Sequence, residues 1–150
     1  MRQGKYSALA SYSRIANAET DRLQQVVMLY DGTIKFLRLA AGDIENGDLQ
    51  AKAEHTSRAF DIINYLQSIL DFTRGGSVAP VLDALYGRIA QIMLRASQDL
   101  DAELMRQAAN ALAPTRDAWA QLAQDHTAAV TQTSAPGFVS PNNQTLRAQV

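Results

Sequence analysis

His55 and His126 are the side chains in this sequence best suited to acid–base or phosphoryl chemistry near neutral pH. They fall on different predicted helices. Neither has a second histidine three or four residues away, so the spacing that lets one helix face hold a metal ion is absent. His55-Thr-Ser-Arg58-Ala59 is the one arrangement with a specific chemistry: a cation one turn beyond the imidazole would hold a phosphoryl group on the ring. The carboxylates Asp61, Asp71, Asp83, Asp99 and Asp101 are scattered singly. Asp99 and Asp101 stand where a helix would start, a place where acids cap free amides and favour the helix dipole. There is no Glu-x-x-His pair of the di-iron kind. Gly75-Gly76 lacks the following Lys-Ser/Thr of a phosphate loop, and no serine stands in a nucleophile elbow. With no cysteine in the chain, a disulfide, a thiolate nucleophile and a cysteine zinc site are all excluded. No catalytic residue, metal or cofactor is therefore expected.

The elements that carry these residues read as helices throughout. The chain has 150 residues, a length that fits one domain and buries roughly two thirds of its unfolded surface. The first clear helix is predicted from Asp21, whose pairing with Gln24 has the form of a capping box, to the stop signal Asn46-Gly47. Its apolar residues Leu23, Val27, Tyr30, Ile34, Leu37, Ala41 and Ile44 step by fours and threes, the spacing of a bundle seam. A second helix is predicted from about Asp48 to Phe72, with a stripe of Leu49, Ala53, Thr56, Phe60, Ile63, Leu66 (or Gln67) and Leu70. A third runs from about Val78 to Gln98, with Ser77 as its cap, Pro80 in its first turn and a stripe of Val78, Leu82, Leu85, Ile89, Ile92 (or Met93) and Ala96. A fourth, capped by Asp99 or Asp101, carries Met105, Ala108, Leu112, Thr115, Trp119 and Leu122. Pro114 lies inside it and predicts a kink or break near 111–113. The expected fold is an all-α, antiparallel up-down four-helix bundle. Residues 1–19 form a short N-terminal segment or helix, the bundle domain covers 1–130, and 131–150 form a disordered tail.

Charge and hydropathy narrow the partners. The net charge of -1 gives no reason to expect nucleic acid or an anionic membrane. Residues 1–38 hold six basic and three acidic side chains, a mild imbalance that reads as a solvated surface. No stretch approaches the ~20 apolar residues of a membrane span, and the N-terminus lacks the apolar core of a signal peptide. The expectation is a cytosolic protein. The helices also carry more apolar residues than one seam requires. The first adds Met28, Leu29, Phe36 and Leu39, the second a separate stripe of Ile62, Tyr65, Ile69 and Phe72, and the third Val81 and Tyr86. One reading is a wide core face. The other is a groove that stays open for a partner segment.

Several short motifs, in order, resemble one family. Met28-Leu29-Tyr30-Asp31-Gly32 resembles the Leu-Tyr-Asp-Gly signature of the flagellar secretion chaperone FliS family. Ala59-Phe60-Asp61-Ile62-Ile63 is similar to its helix-two run, and Leu70-Asp71 with Gly75-Gly76 to its turn into helix three. Leu85-Tyr86, Ala96 with Asp101, and Arg116-Asp-Ala-Trp119 follow in the family's order, and Tyr12 falls where the family keeps an N-terminal tyrosine. The resemblance covers residues 12–122. Thr20-Asp21-Arg22 replaces the family's usual Ala-Ser-Pro, Gln25 stands at a usually apolar place, and Pro114 is unusual.

The resemblance implies a chaperone that is not an enzyme. It would bind the disordered C-terminal segment of flagellin, prevent premature polymerisation and meet the export gate of the flagellar type III secretion system. The client-binding candidates are Ile62, Tyr65, Ile69, Val81 and Tyr86, with Tyr12 as an N-terminal lid over part of the groove. Leu29, Tyr30 and Trp119 are assigned to the core. Self-association stays open. The alternatives are a histidine phosphotransfer bundle using His55, and a scaffold for other export components.

Overall fold

The computed structural model describes residues 2–134, with side chains described at Ala10, Arg14 and residues 17–132. The tail assignment at 135–150 and the Tyr12 side chain lie outside the described residues. Four helices follow one another: α1 (Arg2–Asn46), α2 (Leu49–Ser68), α3 (Val78–Asp99) and α4 (Ala102–Ser134).

α1 starts far earlier than Asp21. From Lys5 to Asn46 the sequence has no proline and only two glycines, and Ala8, Ala10, Ala16 and Ala18 favour helix. An Asp-x-x-Gln pattern without a preceding breaker does not stop such a run, so the capping box predicted at Asp21 is helix interior. α4 continues through Pro114 and is not broken there. Both Pro114 and Asn110, whose carbonyl loses its amide partner, are exposed, so water can take up the freed oxygen. α4 also runs four residues beyond the expected end of the bundle domain.

The described chain divides into two units. One comprises Met1–Gln25 with Trp119–Val150, and the other Val26–Ala118. In the first, Thr20 Oγ1 lies 2.6 Å from His126 Nδ1, tying the α1 and α4 segments of that unit to each other. The second holds the remaining parts of α1 and α4 together with all of α2 and α3.

Polar cross-links fix the helix directions in the second unit. Lys52 Nζ, at the start of α2, donates to the Ser97 carbonyl at the end of α3 (3.1 Å), while Gln67 near the end of α2 donates to Asp83 near the start of α3 (3.2 Å). α2 and α3 are therefore antiparallel. Arg106 reaches Glu45, and Arg116 forks onto both carboxylate oxygens of Asp31 (2.7 and 3.2 Å), so α1 and α4 are antiparallel too. These two links raise the pKa of both arginines through the carboxylate hydrogen bonds. His55 Nδ1 lies 2.6 Å from Asp43 Oδ2 across the α1–α2 turn. The arrangement is the up-down bundle expected from the sequence.

The core of this unit is Tyr30, Thr33, Leu37, Ala40 and Ala41 of α1, Thr56, Ala59, Ile63 and Leu66 of α2, Ala79, Leu82, Tyr86, Ile89, Met93 and Ala96 of α3, and Met105, Ala108, Ala109 and Leu112 of α4. The predicted seams hold at their centres. At their ends Leu49, Ala53 and Val78 are exposed, because a first helical turn projects beyond the partners that would cover it. The turns are capped as their residues dictate. Asp48 accepts from the Ala51 amide (3.1 Å) and Asp101 from the Leu104 amide (2.9 Å), so Asp101 and not Asp99 caps α4. Ser77 precedes α3 without a side-chain cap bond.

Candidate functional site

Tyr65, Ile69 and Val81 are exposed and Ile62 is half-buried. Tyr86 is not on the surface. It is 2 % exposed, its hydroxyl lies 2.5 Å from that of Tyr30, and the two rings meet edge to face with centroids 6.0 Å apart. The assignment of Tyr86 to client binding is therefore corrected to a core role. Leu85-Tyr86 allowed either residue to face inward, and the larger ring found a hydroxyl partner inside while Leu85 stayed half-buried. Burial, reinforced by the Tyr30 hydroxyl, pushes the Tyr86 phenol above its usual pKa range.

Helix periodicity sorts the remaining residues onto faces. Ile62 lies two turns from His55, the residue paired to Asp43 of α1, and its Cδ1 would come within 3.3 Å of a Cβ at Gly32. Ile62 thus sits on the α1-facing flank of α2, and Tyr65 and Ile69 continue that flank one and two turns on. Because α1 and α2 are antiparallel, Met28, one turn before Gly32 and 70 % exposed, lies beside this stretch. Val81 belongs elsewhere. It is two residues from Asp83, which marks the α2-facing flank of α3, and residues two apart on a helix point in nearly opposite directions. Phe72 and Val78, both exposed, bracket the α2–α3 turn, so exposed apolar side chains stand on both sides of it, Tyr65, Ile69 and Phe72 before it and Val78 and Val81 after it.

The α2–α3 turn is built to hold its shape. The Asp71 side chain accepts from the amides of Arg74 (2.9 Å) and Thr73 (3.0 Å), and the Arg74 amide in particular keeps the carboxyl below its ordinary pKa. The Gly75 amide donates to the Asp71 carbonyl at 2.7 Å. A Cβ at Gly75 would stand 2.6 Å from that carbonyl oxygen and 2.9 Å from the Ala79 Cβ, so only glycine fits. Gly76 follows at φ +53°.

Sequence reasoning had placed Met28 among the surplus residues and Val78 in the core stripe. The signal for Val78 was available: two residues before Pro80, it opens the helix at a point where nothing precedes it to pack against.

His55 is a packed residue. Its ring stacks on Phe36 (centroids 6.0 Å apart, planes at 23°), Asp43 engages Nδ1, and the Arg58 guanidinium sits 5.9 Å from the Phe36 centroid. The Asp43 carboxylate occupies Nδ1 and fixes the orientation of the ring. Among the described residues no group of three or more His, Cys, Asp or Glu could hold a metal ion, and no helix is long and apolar enough to cross a membrane.

The family model described as Flagellar protein FliS matches residues 5–126. The chain is 32 % identical over 118 residues to the flagellar secretion chaperone FliS of Salmonella typhimurium, covering 78 % of this chain and 86 % of the relative. It is 33 % identical over 98 residues to that of Bacillus subtilis (65 % and 72 %), and 28 % identical over 104 residues to that of Campylobacter jejuni (69 % and 81 %). The match spans all four helices and includes the packed Leu29-Tyr30-Asp31-Gly32 segment, the glycine turn and Arg116, and on that ground the chain belongs to the FliS family of flagellar secretion chaperones.

Proposed function

We propose that this chaperone binds the disordered C-terminal segment of flagellin in the cytosol, keeps it from polymerising and delivers it to the flagellar type III export apparatus, without acting as an enzyme. The observation that carries the reading is the exposed apolar set Tyr65, Ile69, Phe72, Val78 and Val81, extended on one side by Met28 and Ile62. Isolated exposed apolar residues are ordinary, but several on both sides of one turn offer anchor points for an extended or partly helical segment. A segment that orders on binding loses ~2–5 kcal/mol of the gross interaction, so it needs an extended apolar contact. The folded domain is taken to extend to Ser134, where α4 ends.

Calorimetry with the flagellin C-terminal peptide tests the reading. The expected result is a 1:1 complex with a negative heat-capacity change from apolar burial. Absence of binding heat at several temperatures, with the chaperone folded, would sink it.

A further inference from the structure

We infer that Gly32 is the floor of a subsite that seats one aliphatic anchor side chain of the bound segment, an inference that rests on the α1–α2 face being part of the docking surface. Glycine in a helix interior costs about 1 kcal/mol relative to alanine, and Gly32 stands in the middle of α1, followed by fourteen further helical residues. Its backbone is ordinary helix with no positive φ, so conformational need does not explain it. The surroundings do. A Cβ there would meet Ile62 Cδ1 at 3.3 Å, and among the described residues, its chain neighbours and own helix backbone aside, no other atom lies within 4 Å of the position. The missing side chain therefore leaves a notch that is closed on the α2 side by Ile62 and otherwise open.

Its borders are apolar and fixed to different degrees. On α1, Met28 lies one turn before the notch and Phe36 one turn after it, on the same face. Phe36 is held by the His55 stack and the Arg58 guanidinium, which gives that border a rigid wall with a cationic rim. Met28 is 70 % exposed, and its unbranched, polarisable side chain can adjust to what lies beside it. Tyr65, 53 % exposed, stands across from Met28 on α2. One stiff wall, one adaptable wall and a floor without a side chain suit a branched or linear aliphatic group, which would bury its methyls against Ile62 and the α1 backbone. A charged side chain would be desolvated there without a partner.

The same geometry gives the test. Gly32→Leu would place a side chain of the protein's own where the anchor sits. The flagellin C-terminal peptide should then bind at least ~30-fold more weakly, the scale of a lost anchor, with helicity and melting temperature retained. Gly32→Ala should weaken binding roughly three- to tenfold, and Ile62→Val, which removes the atom that the new methyl would meet, should recover at least about half of that loss. An alanine scan of the peptide supplies the partner arm. One aliphatic position should cost about tenfold or more against the natural chain and less than about threefold against Gly32→Leu, or, if that variant does not fold, show reduced coupling against Gly32→Ala. If the natural chain fails to bind the peptide, the docking reading falls and the subsite with it. If the natural chain binds and the folded Gly32 variants bind equally well, or the scan shows no coupled position, the subsite alone is overturned.

Discussion

The two flanks of α2 are built differently. On the α3-facing flank, polar links stand near both ends: Lys52 to Ser97 at one and Gln67 to Asp83 at the other. On the α1-facing flank, the polar link stands at the turn end alone, where His55 meets Asp43 and stacks on Phe36. Toward the other end that flank carries the apolar residues Ile62, Tyr65 and Ile69. The difference separates framework from contact surface. Links at both ends fix the register of α2 against α3, while apolar groups without directional bonds leave α2 able to accept another apolar surface beside α1. Tyr65 and Tyr86 show the same division within one residue type, since one projects from the open flank and the other is inside the core.

The sharpest way to break this division is to remove the inner tyrosine. Tyr86→Ala should destabilise the fold by ~3–5 kcal/mol, the range for losing a large buried side chain, in denaturant unfolding, while peptide affinity at low temperature stays within about threefold. A large loss of affinity with unchanged stability would mean that the two roles are not separate. Tyr65→Asp should do the reverse. Peptide binding should weaken by at least ~30-fold, about 2 kcal/mol, with the circular dichroism spectrum unchanged, and unfolding would move Tyr65 into the framework. Gly75→Ala tests the α2–α3 turn. Its Cβ would meet the Asp71 carbonyl and Ala79, and the crowding should cost ~1–3 kcal/mol of stability.

Two smaller effects refine the picture. Val81→Asp should weaken peptide binding roughly three- to tenfold, less than Tyr65→Asp, because Val81 stands across the turn from the α2 residues. A null result in calorimetry would confine the docking surface to the α2 side. The last is a pH effect on the framework. The hydrogen bond from Arg106 holds the Glu45 carboxyl below its ordinary value of 4.5. As acid is added, the unfolded chain takes up this proton first, so the contribution is full above that value and is lost as pH falls through the lower folded-state value. Melting curves of Arg106→Gln should therefore show a shallower acid limb than the natural chain, and identical limbs would dismiss the pair as a contributor.

Most of the framework was legible in the sequence. Seams spaced by threes and fours led to Tyr30, Leu37, Ile63, Ile89, Met105 and Leu112, because helical periodicity and burial are coupled directly. What escaped had a physical reason in each case. Asp21 resembled a cap, but capping chemistry matters only where a helix must begin, and nothing upstream prevents α1 from extending. Pro114 indicated a break, but an exposed carbonyl at Asn110 makes the lost bond tolerable. Tyr86 turns inward because it is in phase with Leu82, Ile89, Met93 and Ala96, and the Tyr30 hydroxyl, distant in sequence, gives its polar end a partner there. On the binding side, the second stripe of α2 was legible as a surplus. The exposure of Val78 was not, because it depends on what packs against the first turn of α3 and not on any repeat within a helix.

The pair of phenols between α1 and α3 has a consequence for how tolerant the surface can be. Each hydroxyl meets the other in an apolar interior, so sliding one helix past its neighbour by a turn would break that hydrogen bond. That buried polar contact favours one alignment over those that a purely apolar interior would permit. With that alignment favoured from within, exposed apolar residues such as Tyr65 and Val81 can change identity without disturbing it.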